Sequence, residues 1–426
     1  MEPGYLDLSS DPTVQRHLAL DARLVEAVRS LRVLSTVSWP ASLQETFLDG
    51  WRRGNAALPA PLYEAVDHGG LHAELDAIAG ELDGDHPLGE YLSRQVRCWH
   101  DTLSMLESMG TPGFTEASVR LFGSPADRLP GSTESNRDAA SHFIEAAEEL
   151  AGALDMADEP VELDAASLRD ALQAELDACF VEDHIDVQLD PSLIAKAAAG
   201  ATRIRLRDGA RFTHYDHQQL LQHEAFIHSL TAINGRRQSR LHSLSLTAAS
   251  STATQEGLAT FAELITGAID IDRLKRISLR IEAIDRALSG ADFIEVFRFF
   301  LDAGQSEIDS FRSAQRVFRG CPTGGGLAFT KDTVYLHGLL DVHTFFRWAF
   351  RQRRSGLLPL LFVGKLSLQD VLLLEPLFDA GIIDAPRYLP PWVRQPRGMA
   401  GILAFSLFAN RIRLEAVDRD ELRLRS

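Results

Sequence analysis

Cysteine is scarce. The 426 residues hold three, Cys98, Cys179 and Cys321. They are far apart and odd in number, which argues against a disulfide framework and for reduced thiols in a cytoplasmic compartment. Basic residues are in deficit: 43 Lys and Arg face 60 Asp and Glu, for a formal net charge of −17. That balance works against gripping a nucleic-acid backbone, which needs clustered cations, and against acidic membrane surfaces. No apolar run approaches the roughly 20 residues of a spanning helix; the longest surround "LLPLLFVG" and "MAGILAFSLFA". The opening "MEPGYLDLSSDPTVQRHLALD" lacks the basic and apolar regions of a secretory signal. Internal repeats and low-complexity tracts are missing too. These absences point to a cytoplasmic protein with neither nucleic acid nor membrane as partner.

What is present is ordinary for a globular chain with a sizeable core: 45% hydrophobic and 24% charged residues. The length admits two or three domains, or one large domain with a helical appendage. Residues 1–160 read as an N-terminal helical region. "VQRHLALDARLVEAVRSLRVLS" and "PLGEYLSRQVRCWHDTLSMLESMG" carry apolar residues at amphipathic spacing, punctuated by "MGTPGF" and "FGSPADRLPGS". The texture then changes. "HIDVQLDP" and "TRIRLRDGARFT" alternate as half-buried strands do, and helices return from about Asp216. Residues 161–395 form the expected main domain, closed by the Pro-rich "DAPRYLPPWVRQPRG", with 396–426 as a tail. The expected fold class is α+β, predominantly α-helical, with a small sheet ahead of a histidine-bearing helix.

That helix contains "LLQHEAFIHSL". Five of the 14 histidines lie at 214, 217, 223, 228 and 242. The stretch resembles the zinc-peptidase pattern H-E-x-x-H, in which two histidines one turn apart hold a metal and the glutamate activates water. Here the second histidine comes one residue late: His223, Glu224, His228. On a regular helix, residues four apart differ by about 40° around the axis and residues five apart by about 140°. At the wider angle two imidazoles do not readily share an ion. A π-bulge, which adds a residue to one turn, brings i and i+5 onto one face. A helix with two surface histidines and a solvated glutamate is the plain alternative.

A catalytic zinc site needs a third protein ligand and leaves its fourth position open. "QEGLA", residues 255–259, offers Glu256, 28 residues beyond His228 on the next long helix. Gly257 beside it removes a side chain where two helices must approach closely. His223, His228 and Glu256 then make a His2Glu set. Glu224 points about 100° away from His223 and is left as general base.

The motifs "HEAFIHSLTAINGRRQ", "TQEGLATFAELITG", "FTKDTVYLHGLL" and "LFVGKLSLQD", in this order, resemble the QEGLA-motif family. Its bacterial members carry the label flavohemoglobin expression-modulating protein, and its animal relatives include the microtubule-associated tyrosine carboxypeptidase. The resemblance spans roughly residues 10–395 and implies a gluzincin-type zinc metallopeptidase with an H-E-x-x-x-H motif. It implies His223, His228 and Glu256 as ligands of one zinc ion and Glu224 as catalytic base. The segment "SRLHSLSLTAASSTA" departs from the family pattern, which touches substrate-loop detail rather than the metal.

A carboxypeptidase further needs oxyanion donors and a cation for the terminal carboxylate. "RGCPTGGGLAFTKDTVYLHG" offers Arg319 or Lys331 for the carboxylate and Tyr335 or His337 for the tetrahedral oxygen, with Gly324–Gly326 admitting substrate backbone. A structural turn followed by a strand with a core tyrosine reads equally well. Asn234 and Gln238 of "NGRRQ" are a helix stop first and ligand-supporting residues second. The expected function is a zinc-dependent carboxypeptidase acting at the C-terminus of a peptide or protein. Tubulin itself is disfavoured as substrate, because its acidic tails would meet a chain of charge −17. A regulatory protein with a structural or vestigial metal is the alternative; Glu224, useless to such a module, favours the enzyme.

Overall fold

The structure is a computed structural model that describes residues 11–153, 163–191, 193, 196–409 and 411. The ends of the two outer segments, 1–10 and 154–160 of the N-terminal region and 410 and 412–426 of the tail, lie outside the described residues. The fold is predominantly helical with sheets of two and three strands, as expected.

The N-terminal helices include α1 (Pro12–Val28), α2 (Pro87–Glu107), α3 (Pro112–Phe122) and α4 (Asn136–Ala153). Each of the first three starts with a proline, whose fixed φ suits the first turn and whose missing N–H costs nothing there. Asp11 caps α1, accepting from the Thr13 N–H at 2.7 Å. In α2 the buried face runs through Leu88, Leu92, Val96, Trp99, Leu103 and Leu106, the spacing that keeps one helical stripe inward.

Three short strands follow: β1 (Asp186–Asp190), β2 (Ala197–Gly200) and β3 (Arg203–Arg207). β3 lies centrally, parallel to β1 and antiparallel to β2. Its alternation Arg-Ile-Arg-Leu-Arg puts Ile204 and Leu206 fully inside and the arginines outward. β2 reads Ala-Ala-Ala-Gly, carries no alternation, and was not foreseen as a strand.

The remaining helices are α5 (residues 214–236), α6 (Ala249–Thr266), α7 (Ile271–Leu288), α8 (Phe293–Asp302), α9 (Glu307–Phe318), α10 (Val334–Arg351), α11 (Leu368–Asp379) and α12 (Pro396–Ala409). "VYLHG", read alternatively as a strand, opens α10. One apolar cluster reaches from Val14 to Leu403, drawing on residues on both sides of position 160. A second gathers Phe293, Phe297 and Phe300 of α8 with Phe47, Phe311 and Phe318. Rings at i, i+4 and i+7 share a face, so the phenylalanine-rich segment is core, each buried ring contributing about 2 kcal/mol.

One contact positions the site above all others. A Cβ on Gly257 would stand 2.2 Å from the Gly338 carbonyl oxygen, and one on Gly338 would stand 2.1 Å from that of Ala253. Helices α6 and α10 therefore touch backbone to backbone, the close approach expected at Gly257. No helix is long and apolar enough to cross a membrane among the described residues.

Candidate metal centre

The question posed by the five-residue spacing is answered in the backbone of α5. His214–Gln219 and Leu230–Arg236 are α-helical, and between them Leu220–Ser229 is a ten-residue π-helix. The shift from i→i+4 to i→i+5 bonding widens each turn by a residue, so positions five apart share a face. The rings of His223 and His228 accordingly lie 4.9 Å apart, edge to face. Just beyond the π segment, the Thr231 hydroxyl lies 2.7 Å from the Ile227 carbonyl and 2.8 Å from Gln255 Oε1, a contact between α5 and α6.

Glu256 arrives from α6. Its Oε2 stands 3.6 Å from His223 Nε2 and 3.5 Å from His228 Nε2. The candidate ligand atoms of the three residues all lie within 4.8 Å of one another. With metal–ligand distances near 2.05 Å, the edges of a tetrahedral zinc site are about 3.4 Å. The two separations from Glu256 are close to that edge, and the third lies within 4.8 Å, so the donor set can hold a cation of this size.

Two carboxylates grip His223. Besides Glu256, the fully buried Glu263 meets His223 Nδ1 at 2.6 Å. Arg273 in turn donates to both Glu263 oxygens at 3.2 Å. Burial opposes a charge on His223, but Glu256 and Glu263 outweigh it and push its pKa up to about 10. Burial likewise opposes ionisation of Glu256, yet His223, His228 and Lys331 hold it well below the usual carboxylate range. The same contest, with Arg273 and His223 prevailing over burial, keeps Glu263 below its ordinary value. The cluster thus favours positive charge at His223. Glu263 escaped the sequence reading, although a signal was there: it follows Glu256 by seven residues, two turns along the same face of α6.

The cleft above this cluster has a volume of about 360 Å³. Glu224, His228, Gln255, Glu256, Lys331 and Lys365 line it, and Ala199–Ala201 at the end of edge strand β2 form a wall. Lys331 Nζ lies 3.6 Å from Glu256 Oε1. Burial alone would lower its pKa, but Tyr335, Glu256 and Asp332 reverse that and raise it. Lys365 has a hydroxyl rather than a carboxylate for a partner, Thr247, and burial lowers its pKa. Gln255 is 5% exposed; among the described residues its amide nitrogen has no hydrogen-bond partner. Lys365 and Gln255 were also missed as site residues, the first because nothing in its spacing ties it to residue 224.

A smaller apolar pocket of about 90 Å³ adjoins the cleft, sharing Leu34, Thr247, Thr252 and Lys331 with it. Val33, Trp99, Met105, Phe122 and Phe329 are among its other lining residues. The N-terminal region therefore contributes directly to the site.

Other predicted residues fall elsewhere. Tyr335 does not line the cleft; its ring is met by Lys331 at 5.6 Å and Arg280 at 5.4 Å. His337 pairs with Asp341 of its own helix at 3.3 Å and does not line the cleft. Arg319 caps the end of α9 beside Trp39, in a different cavity. His217 is bonded to Glu175 at 2.9 Å, apart from the metal cluster. The Gly324–Gly326 run packs against the end of α7: a Cβ on Gly325 would meet the Gly290 oxygen at 2.2 Å. Asn234 donates to the Phe362 and Tyr388 carbonyls, and Gln238 to those of Val363 and Asp384. Both fasten the 362–388 segment rather than a ligand, and α5 continues past Asn234 and Gly235 to Arg236 instead of stopping there.

Comparison with individual curated proteins gives no match. The family model described as microtubule-associated tyrosine carboxypeptidase matches residues 45–411, most of the chain, and the protein belongs to that family.

Proposed function

We propose that the protein is a zinc-dependent carboxypeptidase that removes a residue from the C-terminus of a peptide or protein. The observation that carries this reading is the pair of 3.5 and 3.6 Å separations from Glu256 to two histidines, beside an open cleft into which Glu224 also faces. His223, His228 and Glu256 would hold the ion. Zinc, when held there, supplies Lewis acidity and makes water ionise near neutral pH.

The remaining roles belong to the chain. Glu224 takes the proton of the attacking water and passes it to the leaving amine. Gln255 offers its unpartnered amide N–H to the developing oxyanion, where a donor left free in the resting site costs no rearrangement. Lys365 pairs with the terminal carboxylate, since Lys331 is already engaged with Glu256. Tyr335 acts through Lys331, whose ammonium rests on its ring, and is a positioning residue. Edge strand β2 presents backbone groups to an extended substrate. The apolar pocket of Trp99, Phe122 and Phe329 accounts for a preference for a hydrophobic or aromatic last residue, in keeping with the tyrosine of the family description. Arg319 and His337 have no role in this scheme.

The test is a peptide library with free and amidated C-termini, read by mass spectrometry. We expect loss of single C-terminal residues from free peptides, none from amidated ones, and a fall of about 10³-fold in Glu224→Gln with metal content unchanged. Cleavage in the interior of amidated peptides would overturn the carboxypeptidase assignment, and full activity of Glu224→Gln would overturn the mechanism.

A further inference from the structure

A second cavity, of about 580 Å³, lies between α7, the turn joining α8 to α9, and α9 itself. It shares no lining residue with the metal cleft. Five cations face it: Lys275, Arg276, Arg280, Arg312 and Arg316. Two carboxylates, Asp272 and Asp309, stand against them. In a chain whose net charge is −17, this local excess runs opposite to the whole.

Most of these cations have a partner. Arg316 binds Asp332 through two nitrogens at 2.6 and 2.7 Å. Lys275 lies 3.4 Å from Glu148 and Arg312 lies 3.8 Å from Asp309. Arg280 differs. Among the described residues its only carboxylate within ion-pair range is Asp332 at 3.9 Å, already taken by Arg316, and no hydrogen-bond acceptor meets it. One face of its guanidinium covers Tyr335, and the side chain is 22% exposed. Burial first, and Arg316 next, pull its pKa down to about 10. An adjoining cavity shares Arg312 and Arg316 and adds Arg319, whose Nε has no partner among the described residues.

A recessed guanidinium with free donors beside several like charges is costly unless an anion completes it. We propose that this cavity binds a compact polyvalent oxyanion, of the phosphate or polycarboxylate kind, with Arg280 as its anchoring donor. The planar fork suits two oxygens of one such group, and Arg276, Arg312 and Arg316 supply the surrounding field. All five cations line one cavity of about 580 Å³, which suits a small polyvalent ion better than an extended acidic peptide. Three contacts, through Tyr335 and Lys331, link Arg280 to Glu256.

The test is calorimetric titration of the full chain with pyrophosphate and, separately, citrate, at fixed ionic strength. Saturable binding of either ion that persists in Lys365→Gln and in the metal-free protein supports the proposal, and the tighter of the two names the class. We expect Arg280→Gln to weaken it by about tenfold or more, the loss of a bidentate charged contact. Arg276→Gln, a change at an exposed side chain where folding is not at stake, should weaken it several-fold. Lys365→Gln, in the metal cleft, should leave it unchanged. Absence of saturable heat for both ions would overturn the proposal. So would undiminished binding in Arg280→Gln and Arg276→Gln, binding lost in Lys365→Gln, or binding of a poly-glutamate peptide alone.

Discussion

Two neighbouring regions of this protein bury charge in opposite ways. At the metal cluster, Glu256 and Glu263 close on His223 from both sides, and the interior asks for a cation. On the far side of Tyr335, Arg280 and Arg316 converge on the single carboxylate of Asp332, and the interior asks for an anion. The two regions are joined by consecutive residues. The turn Thr330–Thr333 sends Lys331 to Glu256 and Asp332 to Arg316. A buried charge that the chain leaves uncompensated points to something the chain does not itself contain; a compensated one points to stability.

The comparison breaks most readily at Asp332. Burial opposes its charge, but Arg316 and Arg280 prevail and hold its pKa far below the ordinary value. Asp332→Asn leaves two guanidiniums facing each other and should cost about 3–5 kcal/mol, measured by urea unfolding. Because the folded pKa is depressed, this stabilisation is present above the unfolded value of about 4 and is lost as pH falls below it. Wild type should therefore lose stability on acidification below that value more steeply than Asp332→Asn. Equal unfolding midpoints for the two proteins at neutral pH would show that the ion pair is not structural.

A smaller effect sharpens the cation side. Glu263→Gln keeps the shape but removes the charge behind His223, so metal affinity should fall by about 10–100-fold in competition with a chelator. An unchanged affinity would mean that Glu263 merely packs. Smaller still, Lys365→Gln should raise KM for free C-terminal peptides by about tenfold, the value of one exposed-cleft charge contact, with kcat little altered. A loss confined to kcat would instead place Lys365 in the chemistry.

Much of this was legible in the amino-acid sequence, unevenly. The helices followed from 3.6-residue periodicity, and β1 and β3 from alternation. β2 was hidden because alanine and glycine carry no polarity pattern. The spacing of His223 and His228 demanded an unusual helix if they share an ion, and the π segment is what the backbone does. Glu263 could have been found by carrying the face of Glu256 two turns onward. Gln255 and Lys365 could not be weighed, since whether an amide or an ammonium is already partnered is decided by the tertiary fold, which sets Thr247 against Lys365 and Thr231 against Gln255. The net charge misled in one respect. It argued against acidic substrates, yet Lys331 and Lys365 line the cleft and Arg280 its neighbouring cavity, so the average conceals the local field.

The most direct measurement is the metal content of the purified protein, by elemental analysis, before and after His228→Ala and Glu256→Gln. One zinc per chain in the wild type, and its loss in both variants, is the predicted result. Protein that carries no zinc after equilibration with it, or variants that retain a full equivalent, would contradict the assignment of these three side chains.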